Sequence, residues 1–189
     1  MTVKKRGRPQ KESKVLSGEE IIKTAKKLML TSGKIPSIRS LSAELHVDAM
    51  AIYYYFKNKN VLLEELTTSL IFEMYISKND LEWEVELRKL SKSYVALLSK
   101  YDGLLQTLLS MNSTSPANVF IDRFKIITKD LNLEVSAEKA SLNLLADYLH
   151  GFSMSMSCDS TAQLTVDDVD GSLDIIFAGI NASLSMSNQ

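Results

Sequence analysis

The sequence is poor in the residues that cross-link or interrupt a chain. Its 189 residues include one cysteine, three prolines and seven glycines. The single cysteine, Cys158, excludes an intramolecular disulfide and suits a reducing compartment, so we expect a cytoplasmic protein. Prolines and glycines stand mostly between segments with helical apolar spacing, and no segment sustains strand-like alternation. The sequence therefore predicts an all-α protein.

Long apolar runs and the usual catalytic clusters are also missing. No run approaches the length of a membrane span, and the basic N-terminus is not followed by a signal-peptide core, so we expect no membrane association. There are two histidines, His46 and His150, and no cluster with metal-ligand spacing. A Gly-rich phosphate loop and a nucleophile elbow are absent as well. We therefore predict no enzyme activity, no metal and no cofactor.

The net charge of −1 conceals a division along the chain. Residues 1–59 hold 13 lysines and arginines against 5 acidic residues, a net of +8, whereas residues 60–189 hold 9 against 18, a net of −9. A basic first third joined to an acidic remainder is typical of a polyanion-binding unit attached to a domain of another kind.

The stretch 37–59 predicts two short helices joined by a tight turn at His46 and Val47. Asp48 is placed to cap the second helix through its carboxylate. One set of apolar residues can pack together and hold the two helices: Ile38, Leu41, Leu45, Ile52 and Phe56. Another set of small and aromatic residues is left outside this core: Ala49, Met50, Tyr53, Tyr54 and Tyr55. Such a helix is not stable alone, and its exposed aromatic residues favour a helix-turn-helix that enters a DNA major groove.

These residues resemble the DNA-binding motif of the TetR family of bacterial transcriptional regulators. The resemblance rests on SGEEIIKTAKKLMLTSG (17–33), SIRSLSAELHVDAMAIYYYF (37–56) and KNKNVLLEEL (57–66). Ten residues match the family pattern: Arg39, Leu41, Leu45, Val47, Ile52, Tyr53, Tyr55, Phe56, Lys57 and Lys59. His46 replaces the usual turn glycine, and Ile38 replaces a threonine or serine that often contacts phosphate.

The resemblance implies an N-terminal three-helix helix-turn-helix DNA-binding domain and a helical C-terminal domain for ligand binding and dimerisation. We place the DNA-binding domain at 15–60 and the regulatory domain at 61–189. Residues 1–14 are predicted to be a disordered basic arm that resembles an AT-hook. Four of its residues are expected to contact the minor groove: Lys4, Lys5, Arg6 and Arg8. A solubilising tail that binds phosphate without specificity is the alternative.

The predicted DNA contacts divide into two roles. Contacts mainly to phosphates are expected from Tyr53, Tyr55, Lys57 and Lys59. Contacts to base edges are expected from Arg39, Ala49, Met50 and Tyr54. Ser37 and Asp48, at the starts of the two helices, complete the predicted DNA-binding set.

After this motif, Asn58 is predicted to cap a helix from Lys59 to about Ser77 that links the DNA-binding unit to the body. The last two predicted helices, 136–157 and 167–186, are apolar on more than one face. Such helices need either a central position or a partner chain. The resemblance implies a partner chain, because family members dimerise through their last two long helices. A monomeric helical core is the alternative.

A small-molecule pocket in the body is expected to be mostly apolar with a few polar groups. The candidate lining residues are Phe72, Tyr75, Leu104, Thr107, Leu108, Met111, Phe120, Phe124 and Tyr148. Most of these residues would look the same in an ordinary core. Tetracycline-responsive family members have a metal-binding histidine at the position of Thr107, so tetracycline with magnesium is not the expected ligand here.

Two function hypotheses follow. The first is a homodimeric regulator, most simply a repressor, that a small apolar effector releases from a palindromic double-stranded DNA operator. The alternative is an architectural or ligand-independent DNA-binding protein that uses the basic arm. A small-molecule enzyme on a helical bundle has no candidate catalytic residues in this sequence.

Overall fold

The computed structural model describes residues 16–78, 80–159, 161 and 163–186. Every regular element within these ranges is helical, which confirms the all-α prediction. The α-helices are α1 (Gly18–Ser32), α2 (Ile38–Leu45), α3 (Ala49–Tyr55), α4 (Lys59–Ile71), α5 (Trp83–Lys100), α6 (Leu104–Ser110), α7 (Ser115–Thr128), α8 (Val135–Cys158) and α9 (Asp170–Met186). Short 3-10 turns precede α8 and α9, at Lys129–Leu131 and Val166–Val169. The predicted arm contacts Lys4, Lys5, Arg6 and Arg8 lie outside the described residues.

Helices α1–α3 form a small unit, here called the head, whose ends follow ordinary capping rules. The Ser17 hydroxyl accepts the backbone N–H of Glu20 at 3.1 Å and begins α1. Gly33 ends α1 with a φ of 62°, a conformation that a glycine adopts without steric cost. Apolar side chains from all three helices and the loop after them are buried together: Ile21, Ala25, Leu41, Ile52 and Phe56.

The turn between α2 and α3 depends on two residues that the sequence singled out. His46 adopts the left-handed conformation, with a φ of 55° and a ψ of 43°, at the position where the family pattern has glycine. Asp48 occupies the N-cap position of α3, as predicted, but its carboxylate accepts no capping hydrogen bond. The expected carboxylate cap is therefore wrong, and the backbone carbonyl of Asp48 instead accepts the N–H of Ala51 at 2.9 Å.

Helix α4 begins as predicted and ends earlier than predicted. The Asn58 side chain accepts the N–H of Val61 at 3.0 Å. The helix stops at Ile71, six residues before the predicted end at Ser77. Arg123 of α7 accounts for this end, because its guanidinium donates to the carbonyl oxygens that follow the last helical turn. The N···O distances are 2.7 Å to Met74, 2.9 Å to Phe72 and 3.3 Å to Tyr75.

The remaining helices, here called the body (α4–α9), pack around α5, which contacts α4, α7, α8 and α9. Its apolar face is fully buried at Leu87, Leu90 and Val95. Its opposite edge pairs with the start of α9, where Lys92 Nζ lies 2.8 Å from oxygens of both Asp167 and Asp170. These charge-assisted bonds fix the start of α9 against α5.

Helix α7 begins at Ser115 with Pro116 as its second residue, where the missing N–H costs nothing. Two further boundaries differ slightly from the prediction. Helix α8 extends one residue beyond each predicted end. The predicted helix 167–186 starts with a 3-10 turn and becomes α-helical at Asp170. None of the described helices combines the length and apolarity that a membrane span requires.

Candidate DNA-binding surface and ligand cavity

Helix α3 presents large side chains to solvent on the side away from the head core. Met50 is 75% exposed and Tyr54 84% exposed, whereas Ile52 on the opposite side is fully buried. Tyr53 and Ala49 are also exposed. A seven-residue helix with one buried side and an apolar exposed side has the form of a surface that meets another molecule.

Tyr55 has a structural contact as well as a predicted DNA contact. Its hydroxyl donates to the backbone carbonyl of Leu16, just before α1. Its ring meets that of Tyr54 edge to face, with the centroids 5.2 Å apart. Tyr55 therefore ties α3 to the start of α1 and restricts the orientation of the Tyr54 ring. Its phosphate contact stays a prediction.

Positive charge borders this exposed face. Arg39 on α2 and Lys57 and Lys59 at the start of α4 are exposed. None of the three forms an ion pair in the part of the chain that the structure describes, so their charges are available to an external anion. The first N–H groups of α4 add a positive partial charge at the same place. Ser37 caps α2 by accepting the N–H of Ser40 at 3.1 Å.

A cavity of about 220 Å³ lies in the body among α5, α6, α7 and α8. Most of its wall is apolar, and no acidic or basic side chain other than a histidine lines it among the described residues. Its lining residues are Ile71, Tyr94, Leu108, Leu109, Ser113, Pro116, Ala117, Phe120, Ile121, Leu142, Asn143, Ala146 and His150. This combination of a mostly apolar wall with a few polar groups is the lining chemistry of a small-molecule site.

One end of the cavity is polar. The Tyr94 hydroxyl and His150 Nε2 are 2.8 Å apart and share a hydrogen bond. Burial raises the pKa of Tyr94 well above its usual range. Burial also lowers the pKa of His150, and the nearby carboxylate of Asp147 opposes that shift only in part. Both groups are therefore neutral near pH 7, and with Asn143 they offer hydrogen bonds rather than charge.

Solved structures share this arrangement of helices over most of their length. Apo ActR from Streptomyces coelicolor superposes with a TM-score of 0.78 at 15% identity, covering 91% of this chain and 98% of that one. BioQ from Mycobacterium smegmatis gives 0.70 at 16% identity, covering 89% and 99%. A TetR variant from Acinetobacter baumannii AYE, in complex with minocycline, gives 0.67 at 18% identity, covering 90% and 95%.

The chain has the TetR-family fold. No protein-family model matches the sequence, and no curated protein matches it. At identities of 15–18%, the solved structures establish the fold alone. This shared fold agrees with the resemblance read from residues 17–66.

Within this TetR fold, only two of the nine predicted ligand residues, Leu108 and Phe120, line the cavity. The other seven are distributed over five places. Leu104 and Phe124 are fully buried in the core. Thr107 and Met111 line a separate cleft between α4 and α6.

The remaining three of the seven lie at separate places, none of them in the lining of the cavity. Phe72 is exposed, with the Arg123 guanidinium 6.0 Å from its ring centroid. Tyr75 lies under the Lys89 ammonium, 5.4 Å from the ring centroid. Tyr148 lines a groove between α8 and α9. Apolar periodicity identified residues that face inward, but not which of them border the cavity.

The residues that define the polar end of the cavity were not among the predicted ligand residues. Tyr94 has the helical spacing of the apolar residues along α5, and His150 lies within a largely apolar stretch of α8. A histidine within an otherwise apolar helix was the available signal. The sequence could not identify the partner of this histidine, because Tyr94 lies 56 residues earlier in the chain and only the fold brings the two side chains within hydrogen-bonding distance.

The outer face of α8 and α9 forms a groove of about 460 Å³. Leu144 is 57% exposed and Ile175 76% exposed, and small residues such as Ala140 and Gly179 lie between them. Contiguous apolar surface of this kind marks an interaction site. These helices are the ones for which the sequence predicted a partner chain. No group of histidine, cysteine and acidic residues among the described residues could hold a metal ion.

Proposed function

We propose that this protein is a ligand-responsive, homodimeric DNA-binding regulator, with residues 15–60 binding DNA and 61–189 responding to ligand. The observation that supports this most directly is the exposed face of α3, held on a buried helix-turn-helix core and bordered by unpaired cations. Among the structural neighbours, BioQ has been solved with its double-stranded DNA operator. Regulation of this type needs no catalytic residue.

For DNA recognition, α3 enters the major groove, where Met50 and Tyr54 are the most exposed side chains available to base edges. Ala49 and Arg39 complete this base-contacting set. Lys57 and Lys59, with the N–H groups of α4, are suited to phosphates on the flanking strand. Tyr53 and Tyr55 border the same face and are assigned to phosphate contacts, and Ser37 and Asp48, at the starts of α2 and α3, complete the set. The basic arm would add minor-groove contacts.

The cavity supports release by a small molecule. ActR has been solved with actinorhodin, and TetR with minocycline. The effector proposed here is uncharged and mostly apolar, because the wall offers hydrogen bonds from His150 and Asn143 but no fixed charge. Transfer of an ionic group into such a wall is unfavourable without a paired charge.

Arg123 offers a physical connection between the cavity and the head. It lies on α7, one turn beyond the cavity-lining Phe120, and it binds the carbonyls at the end of α4. The other end of α4 begins at Lys59, beside the DNA-binding face. A shift of α7 around an effector would therefore displace α4 and the head with it. Coupling of this kind amounts to about 1–3 kcal/mol in typical cases.

The apolar groove on α8 and α9 supports a homodimer formed through these helices. A two-fold interface there would cover Leu144 and Ile175 on both subunits at once. A dimer presents two α3 helices to one duplex, which requires an operator with inverted half-sites. We propose repression as the simplest outcome, because a protein bound over an operator blocks access to it.

Selection of binding sites from a pool of random duplexes tests the proposal. The full chain should enrich inverted repeats whose half-sites are about 34–36 Å apart, one helical turn of DNA. Fluorescence anisotropy should then show much weaker binding to a single half-site. Enrichment of A·T-rich DNA without a repeat would favour the architectural alternative, and no enrichment at all would contradict the proposed function.

A further inference from the structure

Ser113 belongs both to the wall of the cavity that contains Tyr94 and His150 and to the neighbouring cleft between α4 and α6. It is a half-buried residue of the loop that joins α6 to α7. Glu64 of α4 lines the cleft but not the cavity. Ser113 therefore lies between the proposed effector and the helix that leads to the head.

The hydroxyl of Ser113 donates its proton toward α4. Its Oγ is 2.5 Å from Oε1 of Glu64, compared with 3.2 Å from the hydroxyl oxygen of Ser115. Ser115 donates to the same carboxylate oxygen at 2.7 Å. Both hydrogen bonds lower the pKa of Glu64, and the one from Ser113 is the larger cause. Glu64 is therefore ionised near pH 7 and can only accept, so the Ser113 proton lies on the side of Glu64.

This hydrogen bond determines which group of a ligand Ser113 can meet. A hydroxyl has one proton and two lone pairs. Glu64 takes the proton, and one lone pair accepts the backbone N–H of Ser115 at 3.2 Å. The second lone pair is left for a ligand in the cavity, so Ser113 can accept but not donate there. A carbonyl or ether oxygen would have to compete for the proton with an ionised carboxylate, and charge-assisted hydrogen bonds are the stronger kind.

The rest of the cavity wall limits the ligand further. Its volume of about 220 Å³ lies below the range typical of sites for drug-sized ligands. Three rings line it, since the ring centroid of Tyr94 lies 5.0 Å from that of Phe120 and 5.8 Å from that of His150. We propose that the effector is a small neutral aromatic alcohol whose hydroxyl donates a hydrogen bond to Ser113.

The same hydrogen bond connects the ligand to α4. This inference rests on the proposed function, because it takes the cavity to be the effector site. A hydroxyl that accepts a hydrogen bond donates a stronger one, so an effector hydroxyl would strengthen the bond from Ser113 to Glu64. Glu64 lies near the start of α4, which begins at Lys59 beside the DNA-binding face. Ligand binding would thereby tighten the attachment of the loop before α7 to the end of α4 that is nearest the head.

Three naphthalenes that differ in one substituent test the inference. β-Naphthol donates and accepts hydrogen bonds, its methyl ether accepts but does not donate, and β-methylnaphthalene does neither. Equilibrium dialysis against the full chain at neutral pH measures the three affinities. β-Naphthol should bind with saturation and about tenfold more tightly than either of the other two compounds, the difference that one hydrogen bond represents.

Two variants assign the preference to Ser113 and Glu64. Ser113→Ala removes the acceptor and should weaken β-naphthol binding by about tenfold. Glu64→Ala lies outside the cavity but frees the Ser113 proton, so the methyl ether should bind more tightly and β-naphthol severalfold more weakly. The matched controls are Ser110→Ala and Glu65→Ala, which make the same changes at exposed residues outside the cavity lining. Both controls should leave the three affinities unchanged.

β-Methylnaphthalene reports whether a variant keeps its cavity, because it forms no hydrogen bond. Its affinity should be the same for the parent chain, Ser113→Ala and Glu64→Ala. If Ser113→Ala does not fold, Glu64→Ala alone decides, since it changes no residue of the cavity wall. The inference fails if β-naphthol does not bind with saturation or if its methyl ether binds the parent chain equally well. It also fails if Glu64→Ala binds all three compounds as the parent chain does.

This test requires no DNA, so its failure can be distinguished from failure of the proposed function. A chain that prefers β-naphthol but selects no operator would keep the ligand assignment and lose the regulatory function. A chain that selects an operator but shows no preference for β-naphthol would lose the ligand assignment alone.

Discussion

The turn of the helix-turn-helix requires one residue, His46, to adopt the left-handed backbone conformation. Its left-handed conformation is unfavourable for a β-branched residue and free for glycine, and its side chain is exposed. His46→Val should therefore be less stable than His46→Gly by about 1–2 kcal/mol. Urea denaturation of the two variants measures the difference. Equal stabilities would mean that the turn relaxes to another conformation.

Burial lowers the pKa of His150 in the folded state, and this shift predicts that folding stability depends on pH. An unfolded histidine titrates near pH 6.5, so between that value and the lower folded pKa the unfolded chain binds more protons. Stability should be fully present above about pH 6.5, decline as the pH falls toward the folded pKa, and level off below it.

The control for this prediction is His150→Gln, which removes the titrating group. Its free energy of unfolding, measured by urea denaturation from pH 7.5 to pH 5, should lack the slope that the parent chain shows in this window. Asp147→Asn removes the charge that opposes the shift and should extend the slope to lower pH. A parent chain with the same slope as His150→Gln would contradict the assignment of a buried neutral histidine.

Substitutions of Tyr54 and Lys59 distinguish the two proposed classes of DNA contact, to base edges and to phosphates. Tyr54→Ala removes an exposed group aimed at bases and should relax sequence preference, by about 1–3 kcal/mol at the base pairs it meets. Lys59→Ala removes a phosphate contact, so it should weaken binding to all DNA sequences about equally. It should also reduce the slope of log K against log [salt] by about 1. Anisotropy titrations on matched and mismatched duplexes at several salt concentrations measure both effects. Identical behaviour of the two variants would remove this division of roles.

At the scale of helices, the sequence was sufficient to predict a helix end where nearby residues determine that end. Ser17, Gly33 and Asn58 set helix ends through contacts within a few residues, and the start at Asn58 was predicted. The end of α4 was not, because apolar spacing continues through Met74 while the actual cause lies 49 residues away in Arg123. A side-chain contact between residues far apart in the chain does not alter the spacing of apolar residues in either segment, so the sequence pattern does not reveal it.

The same limit explains the partial success with the ligand cavity. Leu104 and Leu108 are one turn apart on α6 and equally apolar, yet Leu104 is fully buried in the core and Leu108 borders the cavity. Periodicity assigns both to the inner face. Only the positions of α7 and α8 determine where that face meets an empty space, and those positions depend on packing across the whole body.

Arg123 is the residue through which α7 holds the end of α4. Replacing it with methionine keeps most of the apolar stem and leaves several carbonyl oxygens without their donor. Arg123→Met should lower the free energy of unfolding by about 2–3 kcal/mol and increase amide exchange across the segment 72–76. Urea denaturation and hydrogen exchange measure the two effects. Arg123→Lys retains a charged donor and should lose less.

The DNA readout distinguishes a coupling role from simple stabilisation. If α4 transmits movement from α7 to the head, Arg123→Met should change operator affinity even under conditions where the variant is fully folded. Lys129→Met is the matched control, because it also replaces a cation with methionine but at an exposed residue just after α7, outside the link and the α8–α9 groove. Unchanged operator affinity in folded Arg123→Met would show that the head is positioned without this contact.

The whole molecule has a basic head on an acidic body, and this distribution favours contact with DNA through the head alone. A body with a net charge of −9 over residues 60–189 is repelled by the duplex, while the heads are attracted. In the proposed dimer, binding of one head would hold the second head near its own half-site, so the second would bind with a high effective concentration. Dimerisation should therefore control operator affinity as much as any single base contact does.

The groove between α8 and α9 allows this to be tested with one charged substitution. Leu144→Asp places a carboxylate at the centre of the apolar surface, and two-fold symmetry places a second one opposite it. Sedimentation should show the parent chain at twice the 21.1 kDa subunit mass and Leu144→Asp at the subunit mass. The variant should bind the palindrome no better than a single half-site.

Leu30→Asp is the matched control, because Leu30 is a half-exposed leucine on α1 outside the groove. It should leave the sedimenting mass unchanged. A Leu144→Asp protein that still sediments as a dimer would place the interface on another surface. A monomeric parent chain that discriminates palindromes from half-sites would instead separate operator recognition from dimerisation in solution, with the two subunits meeting only on the DNA.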